Sequence, residues 1–390
     1  MTRLIVTLAV ASCVAGAGTA SAQSVADALT FLVTNQGVET GSVERDRDAA
    51  QATSTTIQRA LLATLATLPV ATSSGGFVYR LNPELGTVQR ATQNFGPFFV
   101  ERAITAGQGQ VSLGLTFQQL HFTSLDGRTL RDGSLITTAN QFVDESAPFD
   151  VDQLTLAIDA SVATLYGNVG VTDRIEVGFA APMVALRLDG SRVNTYRGRT
   201  FTQATARARS IGLADLVVRT KFTAYRDEGA SIAGAVDLRL PTGHSEDLLG
   251  AGKRSVKLSA IGSAEGSRVS SHVNAGVTIG GLADELNYGG ALALAASGTV
   301  TVIGEMIGRL IDNPGGIVPV SAPHPTLRGV QTMRLTPDTS KLHIISLIPG
   351  FKWNLSNTWV LAGNVSIPLS KAGLTAPFTP FVGLDYALGR

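Results

Sequence analysis

The chain has 390 residues, 44% hydrophobic and 16% charged, with a net charge of +1. So sparse and balanced a charge leaves no electrostatic footprint for nucleic acid. The single cysteine, Cys13, rules out a disulfide framework and a thiolate metal site.

Arg3, the apolar run Leu4–Val10 and the small residues ending in Ala20-Ser21-Ala22 form a secretory signal with an A-x-A cleavage site. Residues 1–22 are assigned to it, and the mature chain starts at Gln23. A lipoprotein box at Val10-Ala11-Ser12-Cys13 is the competing reading, but it lies very near the start. Cleavage after Ala22 leaves no cysteine, which suits an exported envelope protein.

Residues 23–109 form a separate N-terminal segment. Ser24 with Asp27 is placed to cap a short helix reaching about Leu32. Ala49–Leu68 puts Ile57, Leu61, Leu62, Leu65 and Leu68 on one helical face, and Pro69 stops it. Gly75–Arg90 reads as a hairpin around Asn82-Pro83-Glu84-Leu85-Gly86, able to stand alone or to add strands to the next domain. The amphipathic helix must lie against something. A periplasmic cap and a plug in a lumen are both open.

From residue 110 to 390 the pattern changes to segments of about ten residues that alternate apolar and polar, the length of a strand crossing a bilayer. In Gly212–Tyr225, Leu216, Val218, Thr220, Phe222 and Ala224 share one face, while Asp215, Arg219 and Lys221 share the other. Ala230–Pro241 repeats this, with Asp237 and Arg239 opposite an aliphatic face. Twelve such segments are expected: Gln110–Thr123, Val151–Gly167, Arg174–Leu188, Gly212–Tyr225, Ala230–Pro241, Lys253–Ser263, Arg268–Ile279, Glu285–Ala295, Thr299–Ile311, Leu342–Trp353, Thr358–Leu369 and Phe378–Leu388. Gln118-Gln119 and Pro349-Gly350 break the alternation and predict bulges. No run after the signal is long and apolar enough for a membrane helix, since Glu305 and Arg309 interrupt Thr299–Ile311.

The joints alternate long and short: Leu125–Asp150, Asp189–Ile211, Thr242–Gly252 and Asp312–Lys341 are long, whereas Asn168–Asp173, Arg226–Gly229, Ala264–Ser267, Ala296–Gly298 and Asn354–Asn357 are short. Short periplasmic turns and longer outer loops mark an outer-membrane barrel. The predicted fold is therefore all-β, a transmembrane antiparallel barrel of about twelve strands with an N-terminal helical plug or periplasmic cap, in the bacterial outer membrane.

The middle of the chain resembles the outer-membrane transporter family named for the meta-pathway of phenol degradation. The residues that carry this are Tyr166-Gly167, Thr172–Gly178, Gly212-Leu213-Ala214-Asp215-Leu216 with Arg219 and Lys221, then Leu240-Pro241-Thr242-Gly243 before Gly250-Ala251-Gly252. The resemblance is best over Leu154–Gly266 and implies a barrel moving small hydrophobic or aromatic compounds, with no catalytic residues. Gly383–Leu388 resembles the assembly signal of such barrels, displaced inward from Gly389-Arg390, so the outer-membrane assembly machinery is an expected partner.

If the apolar faces meet lipid, the lumen is lined by Asp159, Glu176, Asp215, Arg219, Lys221, Asp237, Arg239, Lys257, Glu305, Arg309, Lys352 and Asp385. Such residues either brace a narrow barrel as neutralising pairs or form a charge-selective wall. Tyr166, Phe179, Trp353, Trp359, Phe378 and Tyr386 fall near strand ends, as an interfacial girdle requires. Arg192, Arg197, Arg199, Arg207 and Arg209 make Asp189–Ser210 a basic outer segment, either solvated or meeting lipopolysaccharide. The long Asp312–Lys341 segment suits a lid or a loop folded into the pore.

The five histidines lack metal-ligand spacing, no G-x-S-x-G occurs, and nothing calls for a cofactor. His272, with Ser270 on its face and Ser271 on the other, is the one local serine–histidine cluster. The expected function is passive passage of a small solute, hydrophobic or aromatic as the resemblance implies; a structural or adhesion barrel and an outer-membrane hydrolase are the alternatives.

Overall fold

The computed structural model describes residues 24–33, 43–66, 79–82, 87–90, 94–313, 315–356 and 358–388. The signal segment with Cys13, Leu68, Pro69, the Pro83–Gly86 turn and Gly389-Arg390 lie outside the described residues. In chain order come α1 (Val25–Val33), α2 (Val43–Leu65), β1 (Tyr79–Asn82), β2 (Thr87–Arg90), β3 (Val111–Phe122), β4 (Ser124–Leu125), β5 (Arg128–Thr129), β6 (Leu135–Phe142), β7 (Asp150–Gly170), β8 (Ile175–Tyr196) and β9 (Arg199–Leu213). They are followed by β10 (Leu216–Arg226), β11 (Ala230–Leu240), β12 (Ser255–Glu265), β13 (Val269–Gly280), β14 (Glu285–Ala295) and β15 (Val300–Ile311). Last come β16 (Gly316–Pro323), β17 (Val330–Asp338), β18 (Leu342–Ser356), β19 (Trp359–Pro368), β20 (Leu374–Thr375) and β21 (Thr379–Leu388).

Twelve strands close a ring in the order β7, β3, β21, β19, β18, β15, β14, β13, β12, β11, β10, β8, and the β7–β8 pairing shuts it. Each coincides with one of the twelve segments expected from alternation. The expected bulges do not form: Gln118 and Gln119 continue the register against Val162 and Ser161, and Pro349 pairs with Gly304 without a shift. Register shifts occur at Thr223/Tyr225 and Asn354/Ser356 instead. Gln119 breaks the apolar pattern for a different reason. It stands at the upper rim of the lipid-facing belt, where it takes a 2.6 Å hydrogen bond from Ser161, and outward side chains above it become polar.

β7 and β8 contain 21 and 22 residues, about twice the ~10 needed to cross a bilayer. Their outer halves leave the barrel as a hairpin. β6, β17 and β16 extend this hairpin on one side and β9 on the other, giving a six-stranded extramembrane sheet. Two of the predicted long loops, Asp189–Ile211 and Asp312–Lys341, are therefore mainly strand. Asp189–Ile211 hid this because its inward residues include small ones, Ala204 and Ala208, which give a weak apolar signal. Asp312–Lys341 is mainly the β16–β17 hairpin, not a loop folded into the pore.

The helices lie at this outer end, not at the short-turn end where a periplasmic cap would sit. α1 packs on β8, β9 and the turn at Ser245–Asp247, and α2 on β16, β17 and β20. Ser24 and Asp27 form the expected reciprocal cap: Ser24 Oγ accepts from Asp27 N–H at 3.0 Å, and Asp27 Oδ2 accepts from Ser24 N–H at 3.3 Å. Leu29, Leu32, Ile57, Leu61 and Leu65 join Leu154, Leu156, Ile158, Leu186 and Leu188 in one apolar core. Burying each such side chain contributes about 1.5–3 kcal/mol. Gly190 lets α1 approach, since a Cβ there would stand 2.3 Å from Leu32 Cδ1. β1 and β2 pair only with each other and add nothing to the barrel.

Along barrel strands such as β11 and β21, buried and exposed residues alternate. Phe117, Phe222, Ile232, Val236, Leu292 and Val382 are among the exposed aliphatic and aromatic side chains of the outer face. A closed antiparallel barrel leaves no unpaired backbone edge in lipid, and its apolar exterior with short turns at one end and large additions at the other is that of a bacterial outer-membrane protein. Phe179, Trp353, Trp359 and Phe378 are exposed near strand ends, with Tyr386 stacked on Trp359 at 4.6 Å between centroids. Tyr166 departs from the expected girdle. It is 4% exposed and donates to Asp385 inside the barrel, where its hydroxyl finds an acceptor that lipid lacks.

The occluded lumen as candidate functional site

Between the helices and the first barrel strand, residues 94–110 run without regular structure through the inner part of the lumen. Phe95, Phe98, Val100, Ala103 and Ile104 on this strap are buried. An irregular segment exposes backbone N–H and C=O groups that cannot go unpaired in a dry interior. The lumen-facing side chains supply the partners.

Glu305 on β15 receives the N–H groups of Phe98, Phe99 and Val100, the last two at 2.9 and 3.1 Å. Lys352 on β18 donates to Pro97 O at 3.0 Å, with its ammonium 5.2 Å from the Phe98 ring centroid. Lys221 on β10 donates to Arg102 O at 3.2 Å, and Thr223 to Ala103 O at 2.7 Å. Ser263 accepts from Ala103 N–H at 2.9 Å, and Glu176 from Ala106 N–H at 2.8 Å. The strap's own charges are matched as well. Glu101 pairs with Arg219 and lies 3.6 Å from Lys221. The fully buried Arg102 pairs with Glu265 at 2.9 Å. Charge-assisted bonds of this kind are worth more than neutral ones, and removing one partner leaves the other buried and unpaired.

The sequence-predicted lumen residues separate into groups by what they touch. Glu176, Lys221, Glu305 and Lys352 hold the strap. Arg219 grips Asp237 bidentately at 2.5 and 2.6 Å, and Arg309 grips Glu285 at 2.6 and 3.0 Å. Arg239 donates to Ala66 O at 2.8 Å, tying the end of α2 to the barrel wall. Lys257 lies beside Asp237 in register. Asp385 accepts from Tyr166. Asp215 sits at the outer rim and accepts from Gly243 N–H at 3.1 Å and Ala251 N–H at 2.9 Å. This folds the Thr242–Gly252 segment over one strand end. Gly250 must be a glycine there, because a Cβ would meet Asp215 Oδ1 at 2.4 Å.

Asp159 is a correction. It faces outward above the lipid belt and pairs with His121 at 2.8 Å and Arg131 at 3.4 Å. β7 has left the membrane at this height, so its outward face is polar and a charge there meets water rather than the lumen. The basic segment after it follows the same rule. Asp189 binds Arg187 at 2.6 Å and Arg207 at 3.0 Å on the exposed face, while Arg192 is buried.

Sequence reading missed the strap and gave plugging to a helix. Its signal is visible in retrospect: Phe95, Phe98 and Phe99 with Gly96-Pro97 and the adjacent Glu101-Arg102 form an apolar stretch with no period. His272 is buried, with Nδ1 2.8 Å from Ser263 Oγ and Nε2 3.0 Å from Ser270 Oγ. Both ring nitrogens are thus occupied, and Ser263 also serves the strap. This is the geometry of a polar brace.

Two chambers lie among the described residues of the lumen. One, about 170 Å³, lies against β10–β15 and is lined by Arg219, Asp237, Arg239, Lys257, Glu285 and Arg309 among others. The other, about 110 Å³, lies under Thr64 of α2 between β3, β15, β18, β19 and β21, and is lined mainly by Leu120, Phe122, Ile344, Ile348, Pro368 and Leu374. Fold and site define an outer-membrane barrel with the strap inside its lumen and the two helices packed at its outer end.

The chain is similar to an outer membrane channel from Pseudomonas putida F1, at 12% identity and a TM-score of 0.48, covering 73% of this chain and 98% of that one. It is also similar to the KdgM porin solved in complex with disordered oligogalacturonate, at 9% identity and a TM-score of 0.35, over 62% of this chain and 99% of that one. For the low-pH structure of Pseudomonas putida OprB the values are 8% and 0.28, over 72% and 93%. No protein-family model and no curated protein sequence matches the chain.

Proposed function

We propose that the protein is a channel for passive passage of small hydrophobic or aromatic solutes across the outer membrane, of the kind its resemblance to the meta-pathway transporter family suggests. Residues 23–109 act as the plug domain and 110–390 as the barrel. The observation that carries this reading is the way the lumen is filled. Its blocking strap is held by side-chain hydrogen bonds to backbone rather than by strand pairing, and chambers remain on either side of Phe99. A barrel serving only as a structural element has no need of chambers, and the braced His272 offers no free base for a hydrolase. Arg187, Arg207 and Arg209 are exposed on the outward face of the long β8–β9 hairpin, where lipopolysaccharide phosphates would meet them, and β21 would be presented to the assembly machinery.

The test is conductance of the purified mature protein in a planar bilayer, paired with flux of phenol and of a sugar of similar size into liposomes. Discrete small openings with faster phenol flux are expected. Silence and equal, leak-level flux from protein shown to be folded would remove the channel reading.

A further inference from the structure

The two chambers meet at Phe99, Ile307 and Arg309, which line both. Their walls differ in chemistry. The chamber against β10–β15 carries four cations and two carboxylates: Arg219, Arg239, Lys257 and Arg309 against Asp237 and Glu285. Arg219 is matched by Asp237 and Glu101, and Arg309 by Glu285. Arg239 donates to a neutral carbonyl, that of Ala66. Lys257 has no hydrogen-bond or ion-pair partner within reach among the described residues, although Asp237 stands opposite it in the ladder. Arg239 and Lys257 thus hold no carboxylate of their own, and they are close. Arg239 pairs with Ser255, two residues from Lys257 on the same face, and such diagonal neighbours lie ~7–8 Å apart at Cα, within reach of long side chains. The second chamber carries no charged group beyond the shared Arg309, and its walls are mainly apolar, with the neutral Gln118, Ser346, Ser366 and Thr379 between the aliphatic and aromatic side chains.

Cations held in a narrow, poorly hydrated lumen favour an anion, and an adjoining dry wall favours an apolar body. We propose that the two chambers form one binding site for a small monocarboxylate with an apolar body. The carboxylate lies between Lys257 and Arg239, one oxygen toward each, and the body passes Phe99 to rest on Leu120, Phe122, Ile344 and Ile348. The combined space sits near the roughly 300 Å³ at which small-molecule pockets begin, so the ligand is the size of a single ring or a short branched chain. The site is the solute site of the channel proposed above and rests on that reading. It adds a sign of charge and assigns each end of the solute to a wall.

The experiment is calorimetric binding to the solubilised mature protein, with phenylacetate, the neutral 2-phenylethanol, the cationic 2-phenylethylamine and acetate as probes. Phenylacetate is expected to bind at least about tenfold tighter than the amine and than acetate, the scale of one charge-assisted hydrogen bond. Lys257→Gln should weaken phenylacetate by about tenfold and leave 2-phenylethanol unchanged, while Leu120→Ser should weaken both. Lys257 makes no hydrogen bond or ion pair to the strap among the described residues, and heat-modified gel mobility verifies that each variant is a folded barrel. Equal affinity for anion and amine, or a Lys257→Gln variant that binds phenylacetate as the parent does, overturns the proposal. Flux into liposomes is measured separately. Binding without flux counts against the channel, and flux of phenol without preference for the anion in binding counts against the site alone.

Discussion

Two parts of the N-terminal segment are held to the same barrel in different ways. The outer part, α1 and α2, is regular, satisfies its own backbone, and is held by apolar packing against the extramembrane sheet. The inner strap has no secondary structure, and the barrel wall must satisfy its backbone through Glu305, Lys352, Lys221, Thr223 and Glu176. Apolar packing is cumulative and tolerant, so the helices loosen gradually. The strap depends on a few charged contacts, each of which leaves a buried group unpaired when lost. The inner block is therefore the one that a single residue can release.

Glu305→Ala should have the largest effect. It removes the acceptor of three N–H groups and is expected to cost the strap about 3 kcal/mol or more, raising the open fraction on the order of 100-fold. Bilayer conductance is the measurement, and an unchanged conductance would show that the strap does not block the pore. Leu61→Ala should loosen the outer helices by about 2–5 kcal/mol and increase protease cutting within residues 43–66 while conductance stays low. If conductance rises instead, the helices are the principal block and the contrast is reversed.

Gly250→Ala probes the rim between the two. The added Cβ must displace Asp215 or the Gly243 backbone, so a loss of about 1–3 kcal/mol in thermal stability is expected, with the strap contacts intact. The smallest effect concerns the loop after β5. Ser134 N–H donates to Asp132 and holds its carboxyl below the ordinary aspartate range. A depressed folded value stabilises the loop above the unfolded pKa of about 3.9, and this is lost as pH falls through the folded value. Protease sensitivity of residues 130–134 should rise only in that acid range, and Asp132→Asn should abolish the dependence.

Strand alternation read the barrel correctly because the bilayer imposes it. A membrane strand must show lipid an apolar face every second residue, and the twelve segments carry that pattern locally, with breaks only at places such as Gln118-Gln119 and Pro349-Gly350. The helices were also legible, from a capping pair and a 3.6-residue period. Where the solvent changes, the same rule misleads. Asp159 keeps its parity but faces water, because β7 runs beyond the lipid belt. Tyr166 looked like an interfacial aromatic and turned inward to Asp385, 219 positions away in sequence.

The sequence by itself determined the strand number, the orientation of loops and turns, and the existence of a charged inner face, since these rest on local periodicity and length. Only the tertiary structure decided which charges are braces and which face a chamber, and that an aperiodic stretch before the first strand, rather than a helix, closes the inner lumen. The physical reason is that these depend on contacts between residues distant in the chain. Phe98 and Glu305 meet across 207 positions, and nothing in either neighbourhood names the other.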